Sequence, residues 1–310
     1  MSSFEAPAWA WVLLAVVVGL ALVIDLAAHR GDRVDSKRRA LVWSLVWIGV
    51  ALAFNVFVAV RFGAAAGEQY LAAYLLEKSL SVDNLFVFLL VFGALGIPPA
   101  QQRRVLTWGI IGAIVSRGVL IFVGAAVVQH WHSALYVFGA ILIVAAVKLL
   151  RAPEPAGDNK LLGWLERRLP WTRTLHGHRF FARVNGRRVA TPLLLALIAI
   201  ELTDVVFAID SVPAAFAVTE EPFLIYSSNL FALLGLRALY IVLAGAIADL
   251  RYLRFGLAAV LAFAGTKLII SKWVALPPLV SVGVIVVMIA TAVLFSVRAN
   301  RRDRRMLAMM

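Results

Sequence analysis

An all-α, polytopic membrane protein is the fold class this sequence predicts, with about nine transmembrane helices that include two inverted three-helix repeats. Three observations lead there. Hydrophobic residues make up 63% of the 310 and charged residues only 15%, and the mean hydropathy is +0.91. The apolar residues fall in blocks close to the ~20 residues that cross a bilayer as a helix. Polar landmarks then recur in the same order along two separate stretches of the chain.

Taken in order, the apolar blocks predict spans at 8–28, 41–60, 69–96, 105–128, 133–150, 190–217, 227–248, 255–271 and 278–297. The first has no basic segment ahead of it and no small-residue cleavage site before "HRGDRVDSKRR", so it reads as a retained helix and not as a signal peptide. All 310 residues form one transmembrane domain, with repeat 1 at 69–150, a basic loop at 151–189 and repeat 2 at 190–274.

Charge sets the expected orientation. Lys and Arg in alternate connections number 5, 2, 9, 2 and 5, against Arg61 and Lys272 alone in the others. The positive-inside rule puts the N-terminus outside and the C-terminus in the cytoplasm. The net charge of +13 therefore sits on loops beside anionic lipid headgroups and calls for no nucleic-acid partner. The absence of cysteine excludes disulfides and thiolate metal sites.

The loop 151–189 starts as a Pro/Gly linker, and Leu161, Leu162, Trp164, Leu165 and Leu169 beside Arg167 and Arg168 predict a short helix on the cytoplasmic leaflet. His176 and His178 sit in so basic a stretch that they read as solvated side chains.

The repeat emerges when "EKSLSVDNLFVF" from Glu77 is laid on "DVVFAIDSVPAA" from Asp204. Glu77 then matches Asp204, Asp83 matches Asp210, and Asn84 matches Ser211. Downstream, Arg117 corresponds to Arg237 and Lys148 to Lys267, at separations of 34 and 31 residues in the first unit and 27 and 30 in the second. Three helices per unit make the second unit enter the membrane from the opposite face, as in many secondary transporters.

Ionisable groups inside a membrane cost about 2.5–3.5 kcal/mol each on insertion scales and by default mark an ion or substrate path. Asp25, Glu77, Asp83, Glu201, Asp204 and Asp210 share the spans with Lys78, Arg117, Lys148, Arg237 and Lys267. Interhelical salt bridges are one reading of this set. Glu201 and Asp204, three residues apart on one helix face, would however repel without a cation or proton between them. At ~100° per residue, Glu77, Ser81 and Asn84 form one stripe and Glu201, Asp204 and Ser211 another, so the two would face each other. Asp83 and Asp210 lie about 120° from the preceding acids. They either pair with Arg117 and Arg237 or turn inward at a helix break, for which Pro213, by freeing the Ile209 carbonyl, is a candidate.

The candidate metal ligands are therefore Glu77, Asp83, Asn84, Glu201, Asp204, Asp210 and Ser211, while Arg117, Lys148, Arg237 and Lys267 are assigned to charge pairing. A donor set of carboxylate, amide and hydroxyl oxygens suits a hard divalent cation such as Mn, Mg or Ca. No metalloprotease helix, nucleophile elbow or phosphate loop is present, so the chain is not expected to be an enzyme, and no tightly bound cofactor is expected.

"EKSLSVDNLFVF", "ELTDVVFAIDSVPAAFA" and "SSNLFALLGLRALY" closely resemble signatures of the TerC family, integral membrane proteins named for tellurium resistance that include manganese exporters. The resemblance runs from about Ala8 to Arg298; the loop and the C-terminal "RRDRRMLAMM" carry no such signature. It implies a nine-helix protein of the bacterial inner membrane, with Glu77, Asp83, Glu201, Asp204 and Asp210 associated with manganese efflux. Other family members are tied to tellurite resistance, alkaline response or membrane-protein assembly. Three readings stay open: an exporter of divalent cations, Mn2+ foremost, with proton exchange as its natural coupling; a stress-resistance or assembly component acting through a protein partner; and a passive cation channel.

Overall fold

The computed structural model describes residues 6–28, 36–131, 133–151, 160–184, 186–243, 252–271, 273–274, 276 and 278–307. The side chains of Asp83, Lys148 and Asp210 lie outside the description. Helices occupy every predicted apolar segment: α1 Ala8–Ala28, α2 Lys37–Phe62, α3 Ala64–Ala94, α4 Pro99–His130, α5 Ala134–Arg151, α7 Pro192–Phe216, α8 Pro222–Leu234, α9 Leu236–Leu243, α10 Leu253–Ile270 and α11 Pro278–Leu307. Among the described residues, α1, α2, α4 and α7 are each long and apolar enough to cross a membrane, and α8 with α9 supplies a fifth crossing if that bent pair is one span. Exposed Val12, Leu20, Val56 and Val60 on α1 and α2 face outward, as apolar side chains do against lipid.

Local chemistry explains the helix ends. Prolines stand at the first turn of α4, α7 and α8, where the missing amide proton costs no helical bond. Only Gly63 separates α2 from α3, at φ +100°, a left-handed conformation that disfavours any side chain. This one-residue turn starts α3 at Ala64, ahead of the predicted 69. At the other end of α3, Gly96 at φ +62° lets the Ile97 amide donate back to the Phe92 carbonyl, closing the helix.

The predicted span 227–248 is divided: α8 and α9 meet at Gly235 with a 42° bend. Lys78 of α3 gives a physical reason, because its ammonium donates to the Ala232 carbonyl at 3.1 Å, the acceptor that the Leu236 amide would use in a continuous helix. Pro213 leaves α7 unbroken as far as Phe216.

Helices of the two predicted repeats interleave. α3 lies along α8, α4 along α7, and α5 along α10, with α3 and α7 adjacent at the centre. The α5–α10 contact is backbone to backbone: a Cβ at Gly139 would lie 2.8 Å from the Gly265 carbonyl oxygen, and one at Gly265 just as close to that of Gly139. Small residues make this approach possible, as is usual where helices pack within lipid.

The basic loop holds more structure than predicted. α6 Lys160–Arg168 matches the expected short helix, and β1 Phe181–Val184 pairs antiparallel with β2 Arg187–Ala190. Leu165 of α6 is buried in the core cluster that contains Leu193 and Leu195 of α7, while Trp164 stays exposed. The helix thus packs on the protein through one side. His176 and His178 are exposed.

Candidate functional site

The α4–α7 seam is built on glycine. Gly109 faces Ile200, whose Cγ2 lies 3.5 Å from where its Cβ would be, and Gly124 faces Phe216 at 2.9 Å. Between them, a Cβ at Gly112 would fall on the Glu201 carboxylate itself. With no side chains in the way, α7 comes close enough for Arg117 of α4 to reach Asp204.

Arg117 is 1% exposed and directs all its bonds at two acids. Its Nε donates to Asp204 Oδ2 at 3.1 Å and its Nη2 to Asp204 Oδ1 at 2.7 Å, a bidentate fork, while Nη1 donates to Glu77 Oε1. Asn84 Nδ2 donates to Asp204 Oδ1 at 3.2 Å, which closes the α3–α7 contact. The residues that meet on Arg117, Glu77 and Asp204, are those that the repeat alignment makes equivalent. Both are buried. In a low-dielectric interior such a pair persists only when each charge is answered, and removal of one partner costs about 3–5 kcal/mol.

The centre is saturated on one side only. Asp204 has both oxygens engaged, whereas Glu77 Oε2, Glu201 Oε1 and Ser211 Oγ are buried without a hydrogen-bond partner among the described residues. Ser211 is the repeat counterpart of Asn84, so the contact that Asn84 makes to Asp204 has no described mirror image from Ser211 to Glu77. Ser81 sits in the expected stripe but turns its hydroxyl back to the Glu77 carbonyl at 2.8 Å.

A second charge centre forms around Arg237. Its Nη2 lies 2.7 Å from Asp25 Oδ2 and donates to the Asp25 carbonyl at 2.8 Å, and its Nη1 donates to Thr107 Oγ1 at 3.1 Å. Both arginines thus meet acids, but their described partners are Glu77 and Asp204 for one and Asp25 of α1 for the other. Lys267 donates to Ser281 Oγ at 2.9 Å. Among the described residues no three His, Asp or Glu side chains converge on an ion-sized point; two acids converge on a guanidinium instead.

Two features here escaped sequence reasoning: the seating of Glu201 against Gly112, and Thr107 beside Arg237. The first had a trace in the glycine spacing of α4, since Gly109, Gly112 and Gly124 are compatible with one helix face. The second had none.

A bundle of apolar helices around a buried guanidinium–carboxylate centre defines an integral membrane protein with ionisable groups at its core. The chain belongs to the integral membrane protein TerC family, whose match covers residues 62–304. It is 45% identical over 296 residues to "Uncharacterized membrane protein STKORF319" of Myxococcus xanthus, across 94% of this chain and 92% of that protein. It is 44% identical over 288 residues to the Escherichia coli K12 protein named "Putative membrane-bound redox modulator Alx", across 89% of this chain and 90% of that one. A Rickettsia bellii membrane protein is 36% identical over 300 residues, across 95% and 99%. No solved structure matches the chain.

Proposed function

We propose that this protein exports a divalent cation, manganese, across the bacterial inner membrane through the site around Glu77, Asn84, Glu201, Asp204 and Ser211, which Asp83 and Asp210 would complete only on local unwinding of α3 and α7. The observation that carries the reading is that Glu77 Oε2, Glu201 Oε1 and Ser211 Oγ, on the two helices that hold the acid centre, are buried without partners among the described residues. Each unsatisfied buried polar atom costs about 1–3 kcal/mol, and oxygen donors of this kind suit a hard ion. Charge supports the same reading: three carboxylates, Glu77, Glu201 and Asp204, against the one guanidinium of Arg117 leave two negative charges, the complement of a divalent cation.

Helix pairing supports the inverted repeat. Exchange of repeat 1 (α3, α4, α5) with repeat 2 (α7, α8–α9, α10) turns the α3–α8 contact into α7–α4, and leaves α3–α7 and α5–α10 as pairs. In this reading α1–α5, α7, the α8–α9 pair, α10 and α11 make nine crossings, with the N-terminus outside and the C-terminus cytoplasmic. Metal binding to carboxylates competes with protons, so the export step returns protons inward.

A second reading has one observation in its favour, the redox name carried by the Escherichia coli relative. This chain has no cysteine, so a redox effect would come through the ion it moves or through a partner protein. The test is total cellular metal, measured for several metals with and without the protein. Lower manganese in cells that carry the protein is expected; identical contents for every metal would overturn the exporter reading.

A further inference from the structure

We propose that Arg117 is a built-in counter-cation that shares Glu77 and Asp204 with the transported divalent ion, the guanidinium leaving those carboxylates as the ion arrives. The inference rests on the exporter reading and deepens it. Three donor atoms of Arg117 are committed to two acids, and those acids are the repeat-equivalent pair at the junction of α3 and α7. A cation that ligates Glu77 and Asp204 together must take the place the guanidinium holds, because both Asp204 oxygens are already engaged and two cations on one buried pair of acids repel.

The free oxygens suggest the direction of entry. Asp204 is held by Arg117 and Asn84, while Glu77 keeps Oε2 without a partner among the described residues, as does Ser211 Oγ further along α7. An ion can first engage Glu77 Oε2 while Arg117 is still in place. It then completes its shell as the guanidinium withdraws. Glu201 Oε1, three residues before Asp204 on α7, is a further buried carboxylate oxygen without a partner among the described residues. The consequence is that Glu77 and Asp204 are never bare: they hold either the ion or Arg117, and returning protons answer the charge that the guanidinium leaves as the unloaded protein resets. A permanently fixed salt bridge would leave the same geometry with no exchange.

The experiment measures equilibrium binding of Mn2+ alone to the purified full-length protein in lipid nanodiscs, for wild type, Arg117→Gln and Arg117→Lys. Gln removes the competing charge and keeps hydrogen-bonding capacity. It should bind Mn2+ at least about tenfold more tightly than wild type, within the range expected for two coupled binding events, yet lose efflux from vesicles because release is no longer driven. Lys keeps the charge and should stay near wild-type affinity. If Arg117→Gln is folded and binds Mn2+ equally or more weakly while wild type still binds, Arg117 is a fixed pair and the inference fails with the exporter reading intact. If neither protein binds Mn2+, the exporter reading fails and takes this inference with it. Should Arg117→Gln not fold, infrared difference spectra of the wild type decide: addition of Mn2+ should remove the band of an ion-paired guanidinium, and a difference spectrum without any arginine band would overturn the proposal.

Discussion

Gly112→Ala isolates the seating of Glu201. A methyl at this position would coincide with the Glu201 carboxylate, so either the acid or the α4–α7 seam must move. Ala in place of a helical Gly would by itself stabilise by up to about 1 kcal/mol. Overpacking costs about 1–3 kcal/mol, and since the obstacle is the flexible end of a partly buried Glu side chain, the lower part of that range is expected, with the Glu201 carboxylate displaced rather than the seam. Gly49→Ala, on the exposed face of α2 with nothing within 4 Å of its Cβ, is the control and should be neutral or slightly stabilising. Thermal unfolding of detergent-purified protein reads both. Glu201→Asp shortens the acid by one methylene, so combined with Gly112→Ala it should recover about 1 kcal/mol relative to the sum of the single changes, as coupled neighbours do. Wild-type stability and transport in Gly112→Ala, or strict additivity in the double variant, would refute the contact.

Asp25→Ala removes an acid from Arg237 and should lower folded protein by a few kcal/mol; Asp25→Leu with Arg237→Met, measured by membrane abundance, should recover part of that loss because the orphaned buried charge is gone. Gly139→Leu forces α5 and α10 apart where even a Cβ would lie 2.8 Å from the Gly265 carbonyl oxygen, and should lower the unfolding midpoint far more than Gly163→Leu, whose Cβ meets open space. In this cysteine-free chain, cysteine at Glu220 should react with an impermeant thiol reagent on intact cells and cysteine at Gly177 should not; reversed labelling would sink the orientation and the inverted repeat together.

Much of the architecture was legible because apolar length and helical phase are local properties. The stripes on α3 and α7 follow from ~100° per residue alone, and the Asn84–Asp204 bond is where they meet. Which acid each arginine takes was not legible: Arg117 is 40 and 87 residues from its partners, and Arg237 is 212 residues from Asp25. The bend at Gly235 was hidden for the same reason, since it depends on a lysine 154 residues away from the carbonyl it takes. The β1–β2 hairpin escaped because Arg183, Arg187 and Arg188 interrupt the alternation that marks a strand, and the basic composition of the loop reads as a solvated segment.

Manganese efflux from intact cells that carry wild type, Asp204→Asn or Glu77→Gln tests the central claim most directly, with membrane abundance followed in parallel. Both substitutions keep size and hydrogen-bonding capacity and remove only charge, and Arg117 retains one acid partner in each. Loss of efflux in both variants at near wild-type abundance is the predicted result; full efflux in both would make these acids structural and contradict the exporter reading.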